Sequence, residues 1–250
     1  MHVRVNVAAT ADGKLATRTR EQLRISGPAD LARVHRLRAA YDGILVGVGT
    51  VLADDPHLIV DSDRLDNGTD STGPIVRSRL DPTESGPPAT PTVDAIESER
   101  GATVHPTRVV VDSTGRTPTD ARVLDDAAPT VILASERLPA NRRAALEGAG
   151  ATVVAVGADR VDLAAGFEAL ASRGIDSLLV EGGGELIFSL FAAALVDELS
   201  VYVGGMVAGG AEAPTIADGE GFRESLPELT FVDASPVDEG VLLRWRVPGR

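Results

Sequence analysis

Val180-Glu181-Gly182-Gly183-Gly184-Glu185-Leu186 is the stretch that decides the fold. The apolar run Ser177-Leu178-Leu179-Val180 precedes it, and Leu186, Ile187, Leu190, Phe191, Ala194 and Leu195 follow at helical spacing. The pattern is a buried strand, a glycine turn and a helix. Glycine accepts unusual backbone angles and lets a ligand approach the chain. The helix N-terminus behind the turn favours an anion such as a pyrophosphate. Glu181 falls at the carboxyl end of the strand, where open α/β sheets bind ligands. A triple glycine alone is more often a simple tight turn, so the other strand ends must be read with it.

Outward from this point the chain alternates strands and helices. Val3–Ala9 reads as the first strand. Ser26-Gly27-Pro28 opens a helix with proline in its first turn, and Leu31, Val34, Leu37 and Tyr41 space its buried face. Gly43–Val48 is apolar throughout, as expected in a sheet covered on both faces. Further strands are expected at Thr107–Val111, Thr130–Ala134, Ala151–Val156, 176–181 and Glu198–Val203, with helices over 139–148, 162–172 and 186–195. Leu229–Val232 and Val241–Val247, separated by Asp238-Glu239-Gly240, predict an antiparallel hairpin. Residues 66–106 are rich in Asp, Thr, Ser, Gly and Pro and read as a mobile surface insertion. The alternation resumes after them, so the expectation is one α/β domain over 1–250: a mostly parallel sheet, helices on both faces and an antiparallel end.

Composition narrows the function. At 250 residues and 43 % hydrophobic content, a sizeable core is affordable. No apolar run approaches the length of a membrane span, and the start, Met1-His2-Val3-Arg4-Val5, does not resemble a signal peptide. A cytoplasmic protein is expected. The chain has no cysteine, which excludes disulfides, thiolate nucleophiles and cysteine-ligated zinc. His2, His35, His57 and His105 are scattered, so no metal site is expected. A net charge of −13 argues against nucleic-acid binding. Of 24 basic residues only Lys14 is lysine. Many acids with arginine in place of lysine suit a cytoplasm at molar salt, where the Debye length is roughly 3 Å. GC-biased coding gives the same arginine excess.

Polar turns collect at the strand ends. Asp12-Gly13-Lys14 follows strand one, and its lysine is a compact charge able to hold a phosphate or hydroxyl; a chance leftover weighs about equally. In Gly49-Thr50-Val51-Leu52-Ala53-Asp54-Asp55-Pro56, Thr50 can cap a helical turn, with Asp54 on the same face. In Val111-Asp112-Ser113-Thr114-Gly115-Arg116, two hydroxyls, a glycine and an arginine can hold a monophosphate such as the 2′-phosphate of an NADP-type cofactor. An ordinary turn fits each segment taken singly. GxxxxGK[ST] and GxSxG are absent, and GxGxxG is broken by Ile187.

Taken in order, these residues resemble a family. Ala11-Asp12-Gly13-Lys14-Leu15-Ala16, Arg36-Leu37-Arg38, Val46-Gly47-Val48-Gly49-Thr50-Val51-Leu52-Ala53-Asp54-Asp55-Pro56, Val111-Asp112-Ser113 and Glu181-Gly182-Gly183-Gly184 are similar to the riboflavin-pathway reductases. So are Val207–Thr215 and Asp218-Gly219-Glu220-Gly221-Phe222. Among these, the archaeal-type, stand-alone 2,5-diamino-6-ribosylamino-4(3H)-pyrimidinone 5′-phosphate reductases resemble it over all but residues 66–106. The resemblance implies a dihydrofolate-reductase-like fold, a homodimer, NADPH or NADH as hydride donor, and reduction of a ribosylamino to a ribitylamino group. It implies cofactor contacts at Thr50, Asp54, Ser113, Thr114, Gly115, Arg116 and Val161, and a pyrophosphate cradle at Gly182, Gly183, Gly184 and Glu185. Lys14 and Glu181 match substrate-site positions, and we expect them to be catalytic. Arg38 matches a substrate-phosphate position of the bifunctional deaminase/reductases. Those relatives carry an arginine where Asp61 stands and an aromatic near Arg24. Their zinc deaminase domain needs cysteines and length that this chain lacks.

Two other readings use the same residues. One is a reductase of another small heterocycle, which an assay against both substrates separates. The other is a non-catalytic nucleotide-binding module, which steady NADPH oxidation would remove.

Overall fold

The computed structural model describes residues 1–65 and 105–249. The expected insertion at 66–106 lies outside them but for its last two residues. The strands are β1 (His2–Thr10), β2 (Gly43–Gly47), β3 (Thr107–Val111), β4 (Thr130–Ala134), β5 (Ala151–Ala155), β6 (Ser177–Gly182), β7 (Glu198–Gly204), β8 (Thr230–Val237) and β9 (Gly240–Arg246). The helices are α1 (Pro28–Ala40), α2 (Val48–Asp54), α3 (Ser62–Leu65), α4 (Ala140–Gly148), α5 (Leu163–Ala171) and α6 (Gly184–Ala192).

The strands form one sheet in the order β5-β4-β3-β2-β6-β1-β7-β9-β8. The seven strands from β5 to β7 run parallel, and β9 pairs antiparallel with both β7 and β8. This is the mixed sheet with an antiparallel end that the sequence predicts. Strand alternation splits the core in two. Val3, Val5, Val7, Leu178, Val180, Leu199 and Val201 face α5 and α6 through Phe167, Leu170, Ile187 and Leu190. Ile44, Val46, Val110 and Ile132 face the other way, against Val51 of α2 and Leu146 of α4. Leu37 and Ala40 of α1, with Tyr41 just after it, cover Leu179 on that second side.

Several local expectations change. The helix after the glycine turn starts at Gly184, two residues early, with Gly183 at φ +97° as its N-cap. Strand β2 ends at Gly47, and Thr50 lies inside α2 rather than capping it; Gly47 is the N-cap. On α1 the buried residues are Asp30, Ala32, His35, Leu37 and Ala40, while Leu31 and Val34 stay half-exposed. Leu31 turns toward the cleft described below. The hairpin strands are longer than expected, with Gly240 inside β9 and the turn reduced to Asp238-Glu239. That turn has a second job. The Asp238 carboxylate accepts the backbone N–H groups of Ala29 and Asp30, at 3.2 and 3.0 Å, so a residue 209 positions away caps α1.

One irregularity matters most. Leu45 pairs with Val180 but Val46 pairs with Gly182, so the β2–β6 ladder skips Glu181. The extra residue forms a β-bulge, a device that re-aims a side chain beside a site.

Candidate functional site

The sheet order reverses direction around β6: β2 to β5 spread to one side of it and β1 and β7 to the other. At such a switch point the loops from neighbouring strand ends diverge and leave a crevice. A cleft of about 1330 Å³ opens there. That exceeds the roughly 300–1,000 Å³ of a site for one drug-sized ligand, so it has room for two partners side by side. Its wall includes Leu15, Thr50, Asp54, Ser113, Arg116 and Glu181. These residues come from the carboxyl ends of β1, β2, β3 and β6.

The glycine turn fits an anion. No side chain caps α6, so its first N–H groups are free of a side-chain acceptor. A Cβ on Gly184 would lie 2.4 Å from an Asp218 carboxylate oxygen and 2.6 Å from the Thr215 carbonyl. A Cβ on Gly182 would lie 3.2 Å from the Thr50 hydroxyl. Gly182, Gly183, Gly184 and Glu185 all border the cleft. At Glu185 the useful group is the N–H, because its carboxylate carries the wrong charge for a phosphate. Thr50 faces this turn, and Asp54 stands one helical turn away on the wall. Burial pushes the Asp54 carboxyl above its usual pKa, which suits a group awaiting donors from a ligand.

The loop after β3 is shaped by Asp112, which is buried. Its Oδ1 accepts the N–H groups of Gly115 and Arg116 at 3.0 and 2.9 Å; its Oδ2 accepts the N–H and hydroxyl of Thr117, both at 2.7 Å. This fold of the loop presents Ser113, Thr114 and Arg116 to the cleft. Gly115 is not on the wall. It is buried at φ +76° under Leu138, where a Cβ would come within 2.4 Å, so its place is inside the loop. Val161 borders the same end of the cleft, and its N–H donates to the Ser113 hydroxyl at 3.2 Å.

Glu181 and Lys14 lie at the same edge of the sheet, on adjacent strand ends. Glu181 lines the cleft and is held by Arg38. Lys14 is half-buried beside the cleft rather than on its wall, with its ammonium 3.4 Å from the Ala213 carbonyl. Its turn is tied down by Asp12, which accepts from the Thr10 hydroxyl and from the Ala208 and Gly209 N–H groups. Those bonds hold the Asp12 carboxyl at about 2. Arg38 does not border the cleft. Its donors go to Glu181 and to the Ile59 carbonyl.

Sequence reasoning passed over Arg20, Gln22, Arg64, Arg160, Ser189 and Asp218, all on the wall. Arg160 directly precedes Val161, so its neighbour was the available signal. Arg64 stands only three residues beyond Asp61, and nothing in its local pattern marks it. Among the described residues no group of histidines and carboxylates is placed to hold a metal ion, and no helix is long and apolar enough to cross a membrane.

Comparison with known proteins follows the same line. The family described as the RibD C-terminal domain matches residues 1–243. The chain is 42 % identical over 250 residues to a 2,5-diamino-6-ribosylamino-4(3H)-pyrimidinone 5′-phosphate reductase of Methanothermobacter thermautotrophicus, covering 99 % of each. It is 41 % identical over 221 residues to the protein of the same description from Archaeoglobus fulgidus, covering 88 % of each. Among solved structures, Acinetobacter baumannii RibD superposes with a TM-score of 0.70 at 22 % identity, over 98 % of this chain and 57 % of that one. At that identity the likeness concerns the fold alone, a reductase fold of the dihydrofolate-reductase type.

Proposed function

The chain belongs to the RibD C-terminal domain family, and on that premise we propose that it is a riboflavin-pathway oxidoreductase that reduces 2,5-diamino-6-ribosylamino-4(3H)-pyrimidinone 5′-phosphate to its ribitylamino product with NADPH. The observation that carries this reading is the position of Glu181. It is a bulged carboxylate on the wall of a two-partner cleft, directly before the glycine cradle. The proposal includes a homodimer, which rests on the family resemblance.

The cleft residues fit a nicotinamide dinucleotide. The uncapped start of α6 suits a pyrophosphate. Thr50 and Asp54 would meet the nicotinamide half, and Val161 the adenine side. Ser113, Thr114 and Arg116 would receive a 2′-phosphate, favouring NADPH over NADH. When bound, the cofactor supplies the hydride; the protein binds, orients and polarises. The sugar ring of the substrate must open to a C=N bond, which gathers positive charge and leaves a hydroxyl that needs a proton. Glu181 would stabilise that cation as a fixed negative charge or relay the proton, and Lys14 would hold a ribose hydroxyl or the phosphate. Holding both partners at reacting distance supplies much of the acceleration.

The test is turnover. The purified enzyme with NADPH and the ribosylaminopyrimidine phosphate should yield a product two hydrogens heavier by mass spectrometry. NADPH left unconsumed refutes the assignment. A dihydropteridine substrate assayed in parallel separates this activity from that of another heterocycle reductase. Glu181→Gln and Lys14→Met should each lower kcat by about 10²–10⁴, the range for a positioned acid–base group. Near-normal turnover in either variant removes that residue from the mechanism.

A further inference from the structure

Residues 206–222 form neither helix nor strand, yet they are tied down along their length. The first part of this strap clasps the Lys14 turn. The Ala11 N–H donates to the Met206 carbonyl at 2.8 Å, and the Leu15 N–H to the Pro214 carbonyl at 2.9 Å. The Asp12 carboxylate accepts the N–H groups of Ala208 and Gly209 at 3.0 and 2.7 Å. Lys14 itself pairs with Thr215 in an isolated antiparallel bridge, and its ammonium lies 3.4 Å from the Ala213 carbonyl. The lysine is thus placed by a segment 199 positions away along the chain.

Asp218 joins the strap to the glycine turn. Its Oδ1 accepts both the N–H and the hydroxyl of Thr215, at 3.0 and 2.6 Å. A carboxylate that takes both donors of one threonine holds that residue in a single orientation. The Asp218 N–H donates to the Gly184 carbonyl at 3.0 Å. Its carboxylate also packs on the Gly184 Cα, where a Cβ would lie 2.4 Å from Oδ2. Beyond it, Phe222 of the strap meets Phe188 of α6, with ring centroids 5.0 Å apart. Among the described residues, Asp218 is the one carboxylate on the cleft wall that bonds both to the residue paired with Lys14 and to the first residue of α6.

We propose that Asp218 is a positioning residue: through Thr215 and the strap it holds Lys14 at a fixed place relative to the coenzyme cradle. This rests on the reductase reading above, in which Lys14 holds the substrate and the glycine turn holds the coenzyme. It deepens that reading. Hydride transfer needs donor and acceptor at reacting distance, and a displacement of about 1 Å can cost about a hundredfold. An ammonium on a flexible four-carbon stem has no such precision of its own. The strap supplies it, and Asp218 pins the strap to the cradle.

A double-mutant cycle in steady-state kinetics tests it. Asp218→Ala should lower kcat about tenfold to hundredfold in the enzyme that keeps Lys14. In the Lys14→Met background the same change should cost less than about twofold, the error of additivity, because the group it positions is gone. Asp218→Asn keeps an oxygen for the two Thr215 donors and should recover most of the loss. Thr215→Val removes one of those donors from the other side. It guards against a misfolded Asp218→Ala, and its loss of kcat should depend on Lys14 in the same way. The proposal is overturned if the Asp218→Ala and Lys14→Met losses multiply, or if Asp218→Asn falls as far as Asp218→Ala. It is also overturned if Asp218→Ala leaves kcat unchanged, with or without a rise in KM for NADPH. Near-normal kcat in Lys14→Met overturns the lysine's assignment instead, and a wild-type enzyme inactive on the ribosylaminopyrimidine phosphate overturns the reductase reading; this inference falls with either.

Discussion

Asp112→Asn is the substitution whose cost follows most directly from geometry. The side-chain volume stays the same, and the site is 1 % exposed, so solvent cannot rescue it. Each carboxylate oxygen accepts two bonds. An amide must place its NH₂ at one of the two positions. Toward Gly115 and Arg116 it would face two N–H groups. Toward Thr117 it would face one N–H and one hydroxyl, and the hydroxyl can turn to accept. The second choice is cheaper, and it still leaves one buried N–H unpaired, at about 1–3 kcal/mol. The surviving bonds lose their charge assistance, which roughly doubles the strength of such bonds. The expected total is about 3 kcal/mol. Urea unfolding of the two proteins at neutral pH measures it. The loop that moves carries Ser113, Thr114 and Arg116, so KM for NADPH should rise about tenfold, the equivalent of roughly 1.4 kcal/mol. KM for NADH should rise less, having no 2′-phosphate to lose. A stability loss under about 1 kcal/mol, or equal effects on the two cofactors, refutes the reasoning.

Other perturbations reach other parts of the molecule. Gly184→Ala pushes a methyl group into the Thr215 carbonyl, and should weaken cofactor binding in calorimetry at least about tenfold; Gly148→Ala, with nothing within 4 Å, should leave binding unchanged. Burial, aided by Arg38 and Arg64, holds the His35 imidazole at about 4. Unfolded histidine takes its proton near 6.5, so between those values the unfolded chain binds more protons. Stability contributed above about 6.5 is therefore lost as pH falls toward 4, by roughly 2–3 kcal/mol. His35→Gln should flatten that fall in urea melts at pH 7 and 4.5, and an unchanged slope would contradict it. Arg108 is wholly buried and donates to Thr130, to Asp125 and to the carbonyls of Arg122, Asp125 and Ala128. Arg108→Met should cost about 3–5 kcal/mol, and a loss below about 1 kcal/mol would show those acceptors finding other partners. Raising KCl to about 1 M, where screening extends only about 3 Å, should raise Tm if the acidic surface is a salt adaptation; a falling Tm would speak against it.

The strands were readable because each parallel strand is a short apolar run between turn residues, and buried strands carry that signature wherever they sit. The glycine turn and the loops after β1, β2 and β3 were readable as chemistry for a related reason: polar residues at the ends of such runs have little structural excuse. Features that depend on distant partners left no local mark. The Asp238 cap on α1, the Arg38 fork on Glu181 and the carbonyls gathered around Arg108 each join segments far apart in the chain. Leu31 and Val34 show the converse. Their spacing is helical, yet α1 turns its Asp30, His35 and Leu37 side inward, because polar partners at Ser26 and Asp61 await the first two. Gly115 looked like part of a phosphate loop and is a packing residue, since only tertiary structure puts Leu138 over it.

The skipped rung at position 181 has a consequence for how this scaffold can change. Val180 answers to the core and Gly182 to the Thr50 hydroxyl, so neither can vary without disturbance. The residue between them has no opposite number on β2, and the hydrogen-bonded ladder closes around it whatever it carries. The protein thus keeps an exchangeable tooth in an otherwise fixed comb. A new side chain there would leave the pairing of the ladder as it is, but it would have to answer the buried Arg38 guanidinium that Glu181 now holds.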